Sequence, residues 1–163
     1  MTEYADLLRL LNDSGAEYIV VGGVAGIAHG LARFTSDVDV VYRRTNENIQ
    51  RMIQALASHS PYLRGAPAGL PFIWDERTIQ QGLNFTLVTD LGEIDLLGEI
   101  AGGGYDRLLP QTEEISVFGQ KCRCLKLEKL IEVKRAAGRP TDFEAIAELE
   151  SLLEERDQTA DAM

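Results

Sequence analysis

Residues 18–42 read YIVVGGVAGIAHGLARFTSDVDVVY, and the fold turns on how this stretch divides. Tyr18–Val21 is an apolar run halted by Gly22-Gly23, which predicts a short buried strand. Val24–His29 is rich in small residues and predicts a short helix. A second run, Asp37–Tyr42, opens on two carboxylates one residue apart. Side chains alternate across a strand, so Asp37 and Asp39 project from one face. Such a pair repels unless a proton or a cation lies between its members. Magnesium suits the gap, because it takes hard oxygen ligands and links carboxylates to phosphates.

A strand feeding a helix through glycines presents bare backbone N–H groups at the helix start, a setting that favours phosphate. Gly22 and Gly23 are the candidates for that approach, since a side chain there would block it. A third acid, Asp95, sits in the apolar run Leu91-Gly92-Glu93-Ile94-Asp95-Leu96-Leu97. An ionised carboxylate in such a strand is costly to bury without a partner or a metal. Glu93 lies two residues before it, on the same face. A water-facing edge strand would also accommodate Asp95.

Together, Gly22-Gly23, Asp37-Val38-Asp39 and the later Asp95 resemble the active-site pattern of the polymerase-β-like nucleotidyltransferase superfamily. The segment His29-Gly30-x-x-Arg33-x-Thr35-x-Asp37-x-Asp39 and the run Lys134–Asp142 are similar to its small bacterial members, including those of toxin–antitoxin and abortive-infection systems. The likeness spans residues 18–150. One departure is Gly23, where the family often has serine; its absence leaves phosphate to backbone N–H groups.

The resemblance implies an α/β (α+β) minimal nucleotidyltransferase fold, with a mixed β-sheet and helices packed on one side. It implies transfer of a nucleoside monophosphate from a nucleoside triphosphate, ATP among the candidates, to a hydroxyl of an RNA, a protein or a small molecule. Asp37, Asp39 and Asp95 would be catalytic and would hold Mg2+, or Mn2+ in its place. Asp95 would also help to deprotonate the acceptor hydroxyl. Gly22, Gly23, Arg33 and Lys134 would contact the nucleotide. The alternative is a non-catalytic module with this fold, one half of a toxin–antitoxin pair with a partner protein.

A dinucleotide-binding unit is the rival reading of strand, glycine turn, helix and strand. The GGxxG spacing here is not G-x-G-x-x-G, and the acids open the second strand where a ribose-binding acid would close it.

At 163 residues, 45% hydrophobic and 26% charged, the chain fits one soluble domain. The domain is assigned to residues 1–156, with 157–163 as a disordered tail. No apolar stretch reaches membrane-spanning length, the start MTEYADLL has no signal-peptide pattern, and cytoplasm is the expected compartment. The net charge of −10 opposes a broad grip on nucleic acid, so a long duplex DNA is not the expected partner. Local cations at Arg33, Arg43, Arg44, Lys134, Arg135 and Arg139 could still hold a triphosphate. Cys122 and Cys124 read as free thiols, without the histidines of a zinc site.

Elsewhere, Tyr4, Leu7, Leu8 and Leu11 share a helical face within 3–13, as do Ile49, Met52, Ile53 and Leu56 in a helix beginning near Thr45. Residues 59–82, with Pro61, Pro67 and Pro71, predict loops pinned by Phe72 and Trp74. Hairpins are predicted over 83–97 and 114–125, the second turning at Gly119-Gln120, and Gly102–Gly104 as a flexible connector. A helix ends near Gly138, and Thr141 with Glu144 suggests a capping box ahead of a last helix. His29 reads as a packed histidine.

Overall fold

A computed structural model describes residues 2–161. The chain runs through α1 (Tyr4–Asp13), β1 (Tyr18–Val21), α2 (Gly22–Ala28), β2 (Asp37–Tyr42) and α3 (Asn46–Leu56). It continues through β3 (Tyr62–Leu63), α4 (Glu76–Gln81), β4 (Phe85–Thr89) and β5 (Gly92–Leu97). The last third holds β6 (Glu99–Ile100), β7 (Gly103–Gly104), α5 (Tyr105–Leu108), β8 (Thr112–Val117), β9 (Gln120–Leu125), α6 (Leu127–Ala137) and α7 (Phe143–Asp161). Seven strands form one sheet in the order β3-β4-β5-β2-β1-β9-β8. The pairs β2–β5 and β1–β9 are parallel and the other neighbours antiparallel, so the sheet is mixed.

β1 and β2 run antiparallel, with Val21 opposite Asp39. A dinucleotide-binding unit needs this pair parallel, so the rival reading is excluded by topology.

The core forms where apolar residues alternate with the acids. Val38, Val40, Ile94 and Leu96 are fully buried, and the in-register pairing of β2 and β5 puts them on the face opposite Asp37, Asp39 and Asp95. Helix α1 packs against α3, β2 and β9, contributing buried Leu7, Leu8 and Leu11 beside Ile49, Met52 and Leu56 of α3. Asn48 is wholly buried in α3 and fully bonded. Its amide donates to the carbonyls of Glu17 and Arg43 and accepts from the Glu17 N–H. A buried amide with these groups satisfied ties the helix to the strand ends, its hydrogen bonds offsetting the cost of desolvation.

Several local expectations change, among them the second hairpin, which turns at Phe118-Gly119 because Val117 pairs with Gln120. Residues 59–82 are not all loop: Tyr62–Leu63 adds an edge strand to β4, and Asp75 caps α4 by accepting from the Thr78 N–H at 2.9 Å. Helix α4 buries only Ile79, too little apolar periodicity to read. Gly103–Gly104 is paired with Glu99–Ile100 and is no free connector. Pro140–Asp142 forms a short 3₁₀ turn, so α7 starts beyond Thr141, and Glu144 reaches Arg33 instead of closing a capping box. Helix α7 runs to Asp161, past Arg156, with residues 154–161 exposed; Ala162 and Met163 lie outside the described residues.

Other expectations stand. Trp74 donates its indole N–H to the Ile53 carbonyl at 3.1 Å, and Phe72 meets Tyr62 edge-on. Cys122 and Cys124 are free and buried. Among the described residues no helix is long and apolar enough to cross a membrane.

Candidate active site

Parallel register builds the acid cluster. Asp39 of β2 pairs with Asp95 of β5, and Asp37 with Glu93, so all four carboxylates leave the sheet on one face. One carboxylate oxygen from each of Asp37, Asp39 and Asp95 lies within 4.8 Å of the others. The strand starts are stitched together by Thr2, whose hydroxyl donates to the Ser36 carbonyl at 2.6 Å and accepts from the Glu93 N–H at 3.2 Å.

Crowding and burial set the protonation of the cluster. Burial pushes the Asp39 carboxyl up to about 8, and the charges of Asp37 and Asp95 push the same way. Burial and Asp37 also raise Asp95, while the neighbouring Arg64 guanidinium partly offsets them. Asp39 Oδ1 is buried with no hydrogen-bond partner. Three hard oxygen donors, one of them unsatisfied, fit a divalent cation such as Mg2+.

The glycines stand against this cluster. Gly22 has φ +66°, and a Cβ on it would collide with Asp39 Oδ2. The backbone there must be both left-handed and bare. At Gly23 a Cβ would fall 2.5 Å from Thr35 Oγ1. The Thr35 hydroxyl therefore occupies the space a side chain at position 23 would need. It lies 3.4 Å from Asp37 Oδ1, within donating distance, and its backbone carbonyl accepts from the Tyr4 hydroxyl.

A cleft of about 330 Å³ opens beside the acids, lined by Gly22, Asp39 and Asp95 and also by Lys134 and Arg139. Lys134 is only 8% exposed, at the end of the apolar stripe of α6. Asp142 pairs with both cations: its Oδ1 is 3.7 Å from Lys134 Nζ, and its Oδ2 accepts from Arg139 Nε at 2.8 Å. Asp142 is thus shared between two cations of the cleft, which Glu99 also lines.

Arg33 lies elsewhere. Its guanidinium donates to Glu148 at 2.8 Å and Glu144 at 3.1 Å on α7, and it lines a separate hollow with Phe34 and Phe118. The structure does not bring it to the acids. His29 is packed, its Nε2 2.7 Å from the Leu125 carbonyl.

Arg139, one of the cations the sequence offers for a triphosphate, does line the cleft. One member of the site carries no signal in the sequence. Arg64 falls in the proline-rich stretch, where no periodicity points to it. Its backbone N–H donates to the Thr86 carbonyl at 2.9 Å, and Nη2 donates to Asp95 Oδ1 at 2.8 Å.

The fold is that of nucleotidyltransferases. A crystal structure assigned as a nucleotidyltransferase from Thermotoga maritima superposes with a TM-score of 0.56, at 15% identity, over 93% of this chain and 96% of that one. The solution structure of the antibiotic-resistance factor ANT(2'')-Ia superposes with a TM-score of 0.52, at 12% identity, over 98% of this chain and 93% of that one. No protein-family model matches the chain, and no curated protein matches it in sequence.

Proposed function

We propose that this protein is a nucleotidyltransferase that moves a nucleoside monophosphate from a nucleoside triphosphate to an acceptor hydroxyl. One observation carries the reading: a single cleft is lined by Asp39 and Asp95, by Lys134 and Arg139, and by the bare Gly22. A triphosphate is a polyanion that needs cations at its tail and a counter-ion at its reacting end.

In this reading Asp37, Asp39 and Asp95 hold Mg2+, which when bound neutralises phosphate charge and polarises the phosphoryl oxygens. Lys134 and Arg139 bind the phosphate tail, and Asp142 orients them. The Gly22 and Gly23 backbone lets phosphate approach the C-terminal end of β1 without a side chain in the way. Asp95 accepts the proton of the acceptor hydroxyl. That hydroxyl attacks the α-phosphorus, the bond to the β-phosphate bridging oxygen breaks, and pyrophosphate leaves. Catalysis comes from positioning and charge compensation.

The acceptor is a hydroxyl of an RNA, a protein or a small molecule. Incubation of the protein with α-labelled nucleoside triphosphates, Mg2+ and cell extract tests the reading. Label should appear on one acceptor class and be lost in Asp39→Asn and Asp95→Asn, each folded by circular dichroism. Transfer persisting in both variants overturns it.

A further inference from the structure

Arg64 stands inside the acid cluster. Its Nη2 donates to Asp95 Oδ1 and to the Leu87 carbonyl, Nη1 lies 3.7 Å from Asp37 Oδ2, and Nε lies 3.6 Å from Glu93 Oε1. Two of these carboxylates are among the three that converge closely enough to hold a metal. A guanidinium and a divalent cation cannot both compensate the same oxygens at full strength, because each strongly repels the other at such range. Glu93 is different: it carries the fourth carboxylate of the face but stands outside the three-acid set, half-buried at its margin.

We propose that Arg64 is the resident counter-cation of the cluster, which yields Asp37 and Asp95 to a divalent metal and shifts onto Glu93. The inference rests on the metal-binding reading of the three acids. Arg64 is suited to this exchange by its anchoring. Its backbone is fixed to β4 through the Thr86 carbonyl, while the long side chain can redistribute its donors among acceptors already in reach. Gly65, next in the chain, has φ +78°, and Arg64 Nε is buried without a hydrogen-bond partner 3.6 Å from Glu93 Oε1, a donor still free to close on that carboxylate. The exchange keeps the metal-free cluster from carrying several uncompensated charges. It also makes metal affinity depend on two residues that need not be ligands.

Titration of the full-length protein with Mn2+ alone, followed by electron paramagnetic resonance of the free ion, tests this without reference to activity. Arg64→Gln should bind Mn2+ about tenfold tighter than the wild type, and Arg64→Lys should stay near the wild type. Glu93→Gln should bind more weakly, because the displaced guanidinium loses its landing site. Thermal unfolding of each variant with and without Mn2+ reports folding, and the metal-induced rise should be largest in Arg64→Gln. If the wild type binds Mn2+, Asp39→Asn abolishes binding and Arg64→Gln is no tighter, Arg64 is no competitor and the metal reading survives. If neither the wild type nor Arg64→Gln binds Mn2+ saturably, both ideas fall together. If Arg64→Gln does not fold, wild-type affinity in Glu93→Gln overturns the exchange.

Discussion

Gly22 and Asp39 share one volume of space: a methyl on the glycine would overlap the carboxylate Oδ2, and the glycine φ of +66° disfavours any side chain. The residue that opens the way to the cleft is thus fixed by the acid it exposes. Gly22→Ala must displace Asp39 or the β1–α2 junction. The expected loss is about 1–3 kcal/mol of stability, read by urea unfolding. Nucleotidyl transfer should fall further than stability alone explains, since Asp39 leaves its register with Asp95.

Gly23 and Thr35 form a second such pair, and here the crowding atoms are the Thr35 hydroxyl and Cβ. Gly23→Ser should destabilise the fold by about 1–3 kcal/mol, because its Cβ meets Thr35 Oγ1 at 2.5 Å. Thr35→Ala in the same chain removes Oγ1 but keeps the Cβ at 2.8 Å, so it should recover part of that loss and Thr35→Gly more, and a double-mutant cycle measures each recovery as a coupling energy. Additive losses would show that the two positions do not compete for space.

How much of the site is legible in the sequence depends on what each residue announces. Asp37, Asp39 and Asp95 lie in strands whose alternation is visible, so the shared face of the first two follows from their spacing alone. The convergence of all three needs the parallel pairing of β2 with β5, a long-range register that local patterning does not carry. Lys134 is marked by an apolar stripe ending on a charge, and the structure buries it at the cleft. Arg33 is marked by its nearness in sequence to Asp37, which is weak ground: Glu144 and Glu148, more than a hundred residues away, hold it on another surface. Arg64 gives no signal, because an edge strand of two residues has no period. The Phe118-Gly119 turn shows the same limit. Both residues have positive φ, the requirement of a two-residue hairpin loop, and Phe118 adopts it while stacked on Tyr4 at 4.9 Å. An aromatic residue is a poor advertisement for that conformation, so the sequence pattern points one residue later, to Gly119-Gln120.

The protonation of Asp39 gives the metal-free protein a characteristic pH dependence. Its carboxyl is raised in the fold to about 8, so between the ordinary carboxylate range and that value the native state binds the extra proton. Stability must then decline as pH rises through this window, with a slope from this group of at most about 1.4 kcal/mol per pH unit. Chemical denaturation at about pH 5 and about pH 8 in the presence of a chelator should show the decline. Asp39→Asn should flatten it. Adding Mg2+ should restore stability at the alkaline end, where the ionised cluster has most to gain from a cation. A metal-free profile that is flat, or that rises with pH and is indifferent to Asp39→Asn, contradicts the buried-acid picture.

Lys134 and Arg33 should separate cleanly, although the sequence offers both as phosphate contacts. Lys134 is buried at the cleft and shares Asp142 with Arg139. Lys134→Met keeps the length and the apolar stem of the side chain and removes the ammonium. Asp142 retains Arg139, so no carboxylate is stranded and the fold should survive with a modest loss of stability. Triphosphate affinity, measured by isothermal titration with a non-hydrolysable analogue and Mg2+, should fall about tenfold or more. Arg33→Ala instead releases Glu144 and Glu148 at the α7 surface. Its effect should be a small change in thermal stability, diminished by salt, with nucleotide affinity unchanged. Equal losses of affinity in the two variants would mean that Arg33 leaves its glutamates to join the cleft when nucleotide binds.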